Sequence, residues 1–488
     1  MSNENANATK PTGIHMVKFL VVSIIGIFLF MVPVNLATLF GWTALTQGDR
    51  YNIFLGHLID IIRFDVFNHV YFSYYAVGTY NNPFSLHYLL ALVLITISFV
   101  VTLVTKLFKP KAIMESEVLK NAFDNSLLYV VTKAVGAILI WMVFLRVGPA
   151  AIIDDWDVTA IAGLVAVLVI IFLVLLPFMP FITDFGLMDF IGIIIRKVVR
   201  VLFTLPGRAS VDLMASWFGS SVVSIIITRG QHERGFYTGR EAAVIAVNFS
   251  FVSLPFTYVV ADMMGLAPYF LWFYLVMCLT CVILGFFLPR IWPQKGLPDT
   301  YLEEVGKQSV EDDKPEGMSN FAYALENATK KARSAKFSDV FKSAGKGYLN
   351  VYMDLLPIVM AWGTLAVLFA LYTPILDWIS WPFGQYLRLL QLEGAMDVAH
   401  LTLVGFIDML LPAIMMPGDT PVFTKFVIGV LSIVQIIYLA ETGVLIIKSK
   451  MPLGIGKLAI IFLMRTIIGL PIIVGLTHLF RFIPAFPF

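Results

Sequence analysis

Apolar positions run in long blocks along this chain, with polar residues gathered between them. The first block, Met16–Leu36, follows a polar start at Met1–His15. It is long enough for one crossing at about 20 residues per transmembrane helix. It lacks a small-residue cleavage site, so it reads as an uncleaved span rather than a signal peptide. Clear spans follow at 86–108, 128–147 and 157–179. Four more fit before Pro289, at 182–205, 209–228, 241–263 and 266–288. The second half carries blocks at 350–373, 397–416, 422–447 and 456–479. Pro374–Leu392 is ambivalent: Trp378 and Trp381 suit an interface, while Arg388 sits badly in lipid. If it lies flat, the second half is inverted relative to the first. If it crosses, Lys448, Lys450 and Lys457 fall on the cytoplasmic side. The pattern predicts an all-α polytopic membrane protein with roughly 11–13 transmembrane or re-entrant helices.

Between the first two spans, Gly41–Ser85 is mixed and aromatic. Within it, Ile53, Leu55, Leu58, Ile61 and Ile62 share one helical face, which reads as an interfacial helix. The Tyr/Phe-rich piece Val70–Tyr75 suits the headgroup boundary. A re-entrant element is the alternative for both. Lys106, Lys109 and Lys111 follow the second span and belong in the cytoplasm, which puts the N-terminus there too. Arg229, Arg234 and Arg240 fall on the same side. Residues 290–347 form the one long hydrophilic stretch and read as a solvated cytoplasmic linker with amphipathic helices. Four regions follow: 1–127 with the N-terminal spans, 128–289 as a first repeat, the linker 290–347, and 348–488 as a second repeat.

The repeat rests on landmarks in a shared order. Leu205-Pro206-Gly207-Arg208-Ala209-Ser210 resembles Met416-Pro417-Gly418-Asp419-Thr420-Pro421. Gly239-Arg240-Glu241-Ala242 through Leu254-Pro255 resembles Gly456-Lys457-Leu458-Ala459 through Leu470-Pro471. Proline and glycine break helices. Broken backbone is tolerated in a bilayer only where it is buried or lines a cavity. Paired breaks in two halves are a sequence pointer to a transporter's binding site.

Polar residues inside apolar blocks supply the candidate chemistry. Arg208 and Asp212 are four apart and can pair on one helix face; Ser210, Ser220 and Ser221 make the same segment unusually polar. Asn248 and Ser250 lie mid-span, either as interhelical glue or as a cavity wall. Asp419 and Thr420 occupy the matching break, and Glu441 and Thr442 end the next span. Arg465 lies deep in apolar sequence, where a charge needs a partner; Glu441 or Asp419 is the candidate. Asp408 is a further intramembrane carboxylate. Asp408, Asp419 and Glu441 are the candidate carriers of a coupling H⁺ or Na⁺. Asp354, near the beginning of a span, reads as interfacial.

Composition narrows the function. Hydrophobic residues make up 59% and charged residues 14%, with a mean hydropathy of +0.85. That is too little charge to coat a water-soluble surface. A net charge of +2 gives no basic field for nucleic acid. Cys278 and Cys281 are the only cysteines; they make no disulfide framework, and two thiols do not complete a zinc site. No phosphate-cradling Walker motif and no catalytic constellation stand out, so no cofactor and no enzymatic activity are expected.

Leu205-Pro-Gly-Arg-Ala-Ser-Val-Asp-Leu, Gly219-Ser-Ser, Gly235-Phe-Tyr-Thr-Gly-Arg-Glu-Ala-Ala and Asn248-Phe-Ser-Phe-Val-Ser resemble the YjiH-like membrane proteins of the nucleoside-recognition, or Gate, domain families. The resemblance is sharpest across 181–265. It implies paired broken-helix repeats and movement of small polar solutes or ions. The expectation is a multi-pass inner-membrane secondary transporter, driven by H⁺ or Na⁺, of a small polar nitrogen-containing solute. An amino acid, a dipeptide derivative and a nucleoside stay open. The site is expected where the Pro206-Gly207 and Pro417-Gly418 breaks meet, lined by Arg208, Ser210, Asp212, Ser220, Ser221, Asn248, Ser250, Asp419, Thr420, Glu441, Thr442 and Arg465. The alternative is a non-transporting sensor or scaffold paired with a second Gate-domain chain. A homo-oligomer is the other partner reading.

Overall fold

The computed structural model describes residues 13–34, 52–62, 71–75, 81–124, 126–153, 156–207, 209–218, 221–307, 318–447, 449 and 451–483. In chain order the main helices are α1 (Gly13–Met31), α2 (Leu86–Phe108), α3 (Leu127–Leu145), α4 (Trp156–Phe178), α5 (Leu187–Phe203), α6 (Ala209–Phe218), α7 (Ser221–Glu233), α8 (Gly239–Asn248), α9 (Leu254–Met263), α10 (Phe270–Phe287), α11 (Asn320–Ser334), α12 (Phe337–Phe369), α13 (Ile375–Leu389), α14 (Val422–Val434) and α15 (Ile455–Phe480). Strand pairing among the described residues is confined to two short antiparallel ladders, Pro33–Val34 with Asn52–Ile53 and Tyr71–Tyr75 with Asn81–Ser85. The protein is therefore nearly all helical. Seven of its described helices are long and apolar enough to cross a membrane: α1, α2, α3, α4, α10, α12 and α15. Helix α1 buries Phe19, Val22 and Phe30 and leaves Val17, Val21 and Ile24 bare. An exposed aliphatic stripe of that kind suits hydrocarbon and would drive association in water.

Prolines interrupt several of these helices, and hydroxyls on neighbouring helices repair them. A proline has no N–H, so the carbonyl four residues earlier loses its helical donor. Pro177 frees Leu173 in α4, and the Tyr348 hydroxyl of α12 donates to that carbonyl at 2.8 Å. Pro471 frees Ile467 in α15, and the Tyr386 hydroxyl of α13 donates there at 2.8 Å. Pro357 frees Met353 in α12, and Ser98 of α2 donates to it. In lipid no water can do this work, so each repair also ties two helices together.

The structure departs from the sequence pattern at several blocks. The stretch 241–263 is two helices, α8 and α9, separated by five non-helical residues, Phe249 to Ser253. The block 422–447 is α14 followed by an irregular Gln435–Tyr438 and a wide turn at Leu439–Gly443. The block 397–416 holds only the four-residue helices Leu401–Val404 and Leu411–Ile414. The expected interfacial helix is Phe54–Ile61, and it is not peripheral: Ile53, Leu55 and Ile59 belong to the main core. The polar linker is also less solvated than its composition implies. Ala324, Ala328 and Ala332 of α11 are buried, and α11 packs on α1 and α5. Helix α12 begins at Phe337, so the linker runs directly into a span.

Candidate functional site at two interrupted helices

The two irregular segments meet at one side chain. Arg465 of α15 is fully buried. Its Nε donates to the Val434 carbonyl at 2.7 Å. Its Nη1 donates to the Val247 carbonyl at 3.2 Å and to Asn248 Oδ1 at 3.0 Å. Val434 ends α14, and Val247 and Asn248 end α8. A helix C-terminus leaves carbonyls without donors and carries partial negative charge. Two such ends aim at one guanidinium. The described contacts of Arg465 include no carboxylate, and Asp419 is exposed.

Asn248 is the last residue of α8, whereas Arg465 lies within the continuous helix α15. Asn248 is held in turn by Gln294, to whose Oε1 its Nδ2 donates at 2.7 Å.

Local chemistry holds the second interruption open. Ile436 has a φ of 62°, a left-handed conformation that a β-branched residue avoids. Strain of this kind costs roughly 1–3 kcal/mol and persists only where its surroundings fix it. Here Tyr438 does so: its hydroxyl donates to the Ile433 carbonyl at 2.8 Å and accepts from the Ile436 N–H at 3.2 Å. Thr442 donates to the Ile436 carbonyl and accepts from the Tyr438 N–H, both at 3.0 Å. Gln435 Nε2 donates to the Thr402 carbonyl at 2.7 Å and to Thr466 Oγ1 at 2.8 Å. Gly405 makes room for this side chain, since a Cβ there would fall 2.2 Å from Gln435 Oε1. Some buried polar atoms are left over. Among the described residues, Ser250 Oγ has no hydrogen-bond partner, and Arg465 Nη2 finds no oxygen or nitrogen acceptor. The Cys281 thiol lies beside the guanidinium.

The other sequence candidates divide. Asn248 and Arg465 come together, Ser250 lies in the interruption that follows Asn248, and Thr442 braces the strained turn. Asp212 is buried elsewhere and accepts from the Tyr237 hydroxyl at 2.5 Å. Ser210 donates to the Gly207 carbonyl at 2.8 Å, which closes the turn into α6, and Ser221 is buried at the start of α7. Thr420 is buried beside the exposed Asp419 and Gly418, so the two Pro-Gly turns differ in surroundings. Asp408 is buried and accepts from the Leu410 N–H at 2.9 Å, as the cap of a local turn. Arg208, Ser220 and the Glu441 side chain lie outside the described residues.

One charged pair escaped sequence reasoning. Lys133 of α3 is fully buried and meets Asp354 Oδ1 of α12 at 2.7 Å. Asp354 thus has an ion partner on another span. The available signal was a lone lysine in the apolar run Val130-Val131-Thr132-Lys133-Ala134-Val135. Among the described residues, no cluster of three or more metal-binding side chains occurs.

The comparisons agree with this architecture. The family described as nucleoside recognition, the Gate domain, matches residues 164–267, which takes in α5 through α9 and the first interruption. An uncharacterized protein of Alkalihalophilus pseudofirmus, BpOF4_10220, is 40% identical over 475 residues, 96% of each chain. No solved structure matches. With its apolar helices and its interrupted pair, this chain belongs to the nucleoside-recognition, or Gate-domain, family of multi-pass membrane proteins.

Proposed function

We propose that the protein is a secondary active transporter of a small polar, nitrogen-containing solute, driven by H⁺ or Na⁺ and seated in the plasma membrane. The observation that carries this is the convergence of α8 and α14, each ending inside the protein, on Arg465. Transporters place solute where helices break inside the membrane, because free backbone groups there bind polar ligands without a competing helix. The substrate site is assigned to the interruptions at 249–253 and 435–438 rather than to the Pro-Gly turns. Ser250 Oγ and Arg465 Nη2 supply its unused hydrogen-bonding capacity, and an anionic or carbonyl-bearing solute suits the guanidinium. Of the remaining candidates, Thr442 braces the second interruption, Ser210 and Asp212 serve contacts elsewhere, and Arg208, Ser220, Ser221, Thr420 and Glu441 are kept as candidate wall residues. Asp408, Asp419 and Glu441 are candidate coupling carboxylates. The positive-inside pattern favours a cytoplasmic N-terminus and a cytoplasmic 290–347 segment.

The test is a thermal-shift panel on purified protein with nucleosides, amino acids and dipeptides, followed by flux in liposomes. A ligand at 100 times its Kd stabilises the folded state by about 2.7 kcal/mol. Stabilisation by one chemical class, with gradient-dependent flux reduced in Ser250→Ala, is expected. Binding without flux would replace transport with the sensor reading. Flux that no ion gradient accelerates would make the protein a channel.

A further inference from the structure

Asn248 presents a chemically defined edge to its neighbour. A guanidinium only donates hydrogen bonds, and a carbonyl only accepts them. Arg465 Nη1 donates to Asn248 Oδ1 at 3.0 Å, and Asn248 Nδ2 donates to the Val244 carbonyl at 3.0 Å. These two partners fix which end of the carboxamide is oxygen and which is nitrogen. One N–H and one oxygen lone pair are left, side by side. Gln294 takes both. Asn248 Nδ2 donates to Gln294 Oε1 at 2.7 Å, and Gln294 Nε2 donates back to Asn248 Oδ1 at 3.3 Å. Both side chains are buried.

Gln294 reaches Asn248 from past the end of α10, out of the short turn Gln294–Gly296. The chain is pinned to the start of α8 on either side of it. Before it, Arg240 Nη2 donates to the Pro289 carbonyl at 3.2 Å. After it, the Gly239 and Arg240 N–H groups donate to the carbonyls of Thr300 and Pro298, each at 2.9 Å. The Thr238 hydroxyl donates to Asp299 Oδ1 at 2.6 Å. Helix α8 therefore holds this strap at its N-terminus and receives the Gln294 amide at its C-terminus. Packing alone does not call for two amides here, since apolar partners of the same shape in place of a buried hydrogen-bonded pair are nearly neutral for stability.

We propose that Gln294 is a built-in stand-in for the solute, and that the solute carries the same edge: an N–H donor beside a carbonyl acceptor, as in a primary carboxamide or a lactam. The proposal rests on the assignment of the solute site to the two interruptions, and it narrows the substrate class of that site. The solute's carbonyl accepts from Asn248 Nδ2 and its N–H donates to Asn248 Oδ1, bond for bond as Gln294 does. A carboxylate accepts from Nδ2 but sets its second oxygen against Oδ1. A site that bonds an N–H discriminates strongly against the analogue lacking it, because its own buried acceptor is then unpaired. While Gln294 occupies Asn248, the binding-competent fraction is reduced, and the apparent affinity falls with it.

The experiment is thermal shift of purified full-length protein in detergent with matched probes: glutamine against glutamate, nicotinamide against nicotinate, and uridine against 3-methyluridine. The first of each pair has the edge, and the second lacks its N–H. Stabilisation by an edge-bearing probe and not by its match is expected. In Gln294→Ala the half-saturating concentration is expected to fall roughly tenfold, since the competing amide is gone. Loss of a residue that only braces the site would weaken binding or leave it unchanged. Gln294→Met fills similar space without the amide and should give the same gain, so the result does not hang on one variant folding. The matched pairs also decide in the wild type by themselves. The proposal is overturned if no edge-bearing probe stabilises the protein, if matched analogues bind equally, or if affinity fails to rise in a folded Gln294 variant. Edge-selective binding in competition with Gln294, but without flux in liposomes, would end the transport reading and leave this one standing. Gradient-driven flux of a solute lacking the edge would do the reverse.

Discussion

Replacing Arg465 with lysine keeps a positive charge at the meeting point of α8 and α14 but removes the fork. The guanidinium reaches two helix ends at once: Nε serves Val434, while Nη1 serves Val247 and Asn248. An ammonium is a single point at the end of a flexible stem and cannot span both. One of the three charge-assisted bonds is lost if the ammonium stays at Val247 and Asn248 and two if it stays at Val434, at about 1.5–3 kcal/mol each. The compact ammonium is more strongly hydrated than the guanidinium, so its burial does not offset the loss. The expected outcome is a large drop in the unfolding midpoint in detergent, followed by tryptophan fluorescence and size exclusion. Asn248→Ala is expected to lower the midpoint less, since it removes one acceptor of the guanidinium and the partner of Gln294. If Arg465→Lys unfolds at the wild-type midpoint while solute flux disappears, the brace reasoning is refuted. Arg465 would then be a ligand for solute and not a tie between helices.

Tyr386→Phe should cost about 1 kcal/mol, because it strips the donor from the Ile467 carbonyl that Pro471 leaves free. Pro471→Ala in the same protein should recover that loss by restoring the helical N–H, and a double-mutant cycle of unfolding midpoints reads the coupling; strict additivity would count against the repair. Gly186 has a φ of 99°, and a Cβ there would fall 2.4 Å from the Ala328 carbonyl of α11. Gly186→Ala should therefore loosen α11 from α5 and quicken tryptic cleavage at Lys330 and Lys331, while unchanged cleavage would show that the linker helix is held elsewhere.

The apolar blocks were enough to determine a polytopic helical membrane protein, because burial in hydrocarbon acts on each residue through its local composition. Asn248, Ser250 and Arg465 were legible as candidates, because a polar group deep in an apolar run carries a cost wherever it folds. What escaped was decided by contacts between distant segments. Gln435-Ile436-Ile437-Tyr438 contains no glycine or proline, and its break exists because the Tyr438 and Thr442 hydroxyls take over the backbone's hydrogen bonds, while the Thr402 carbonyl holds the Gln435 side chain. The sequence points Arg465 to a carboxylate and not to the carbonyls of Val434 and Val247 that accept from it, because every residue has a carbonyl. Lys133 and Asp354 are 221 residues apart in sequence, and only the packing of α3 on α12 makes them a pair. Local chemistry placed the helices in the membrane; the ends of those helices, and the charges that answer them, were fixed by which helix came to lie beside which.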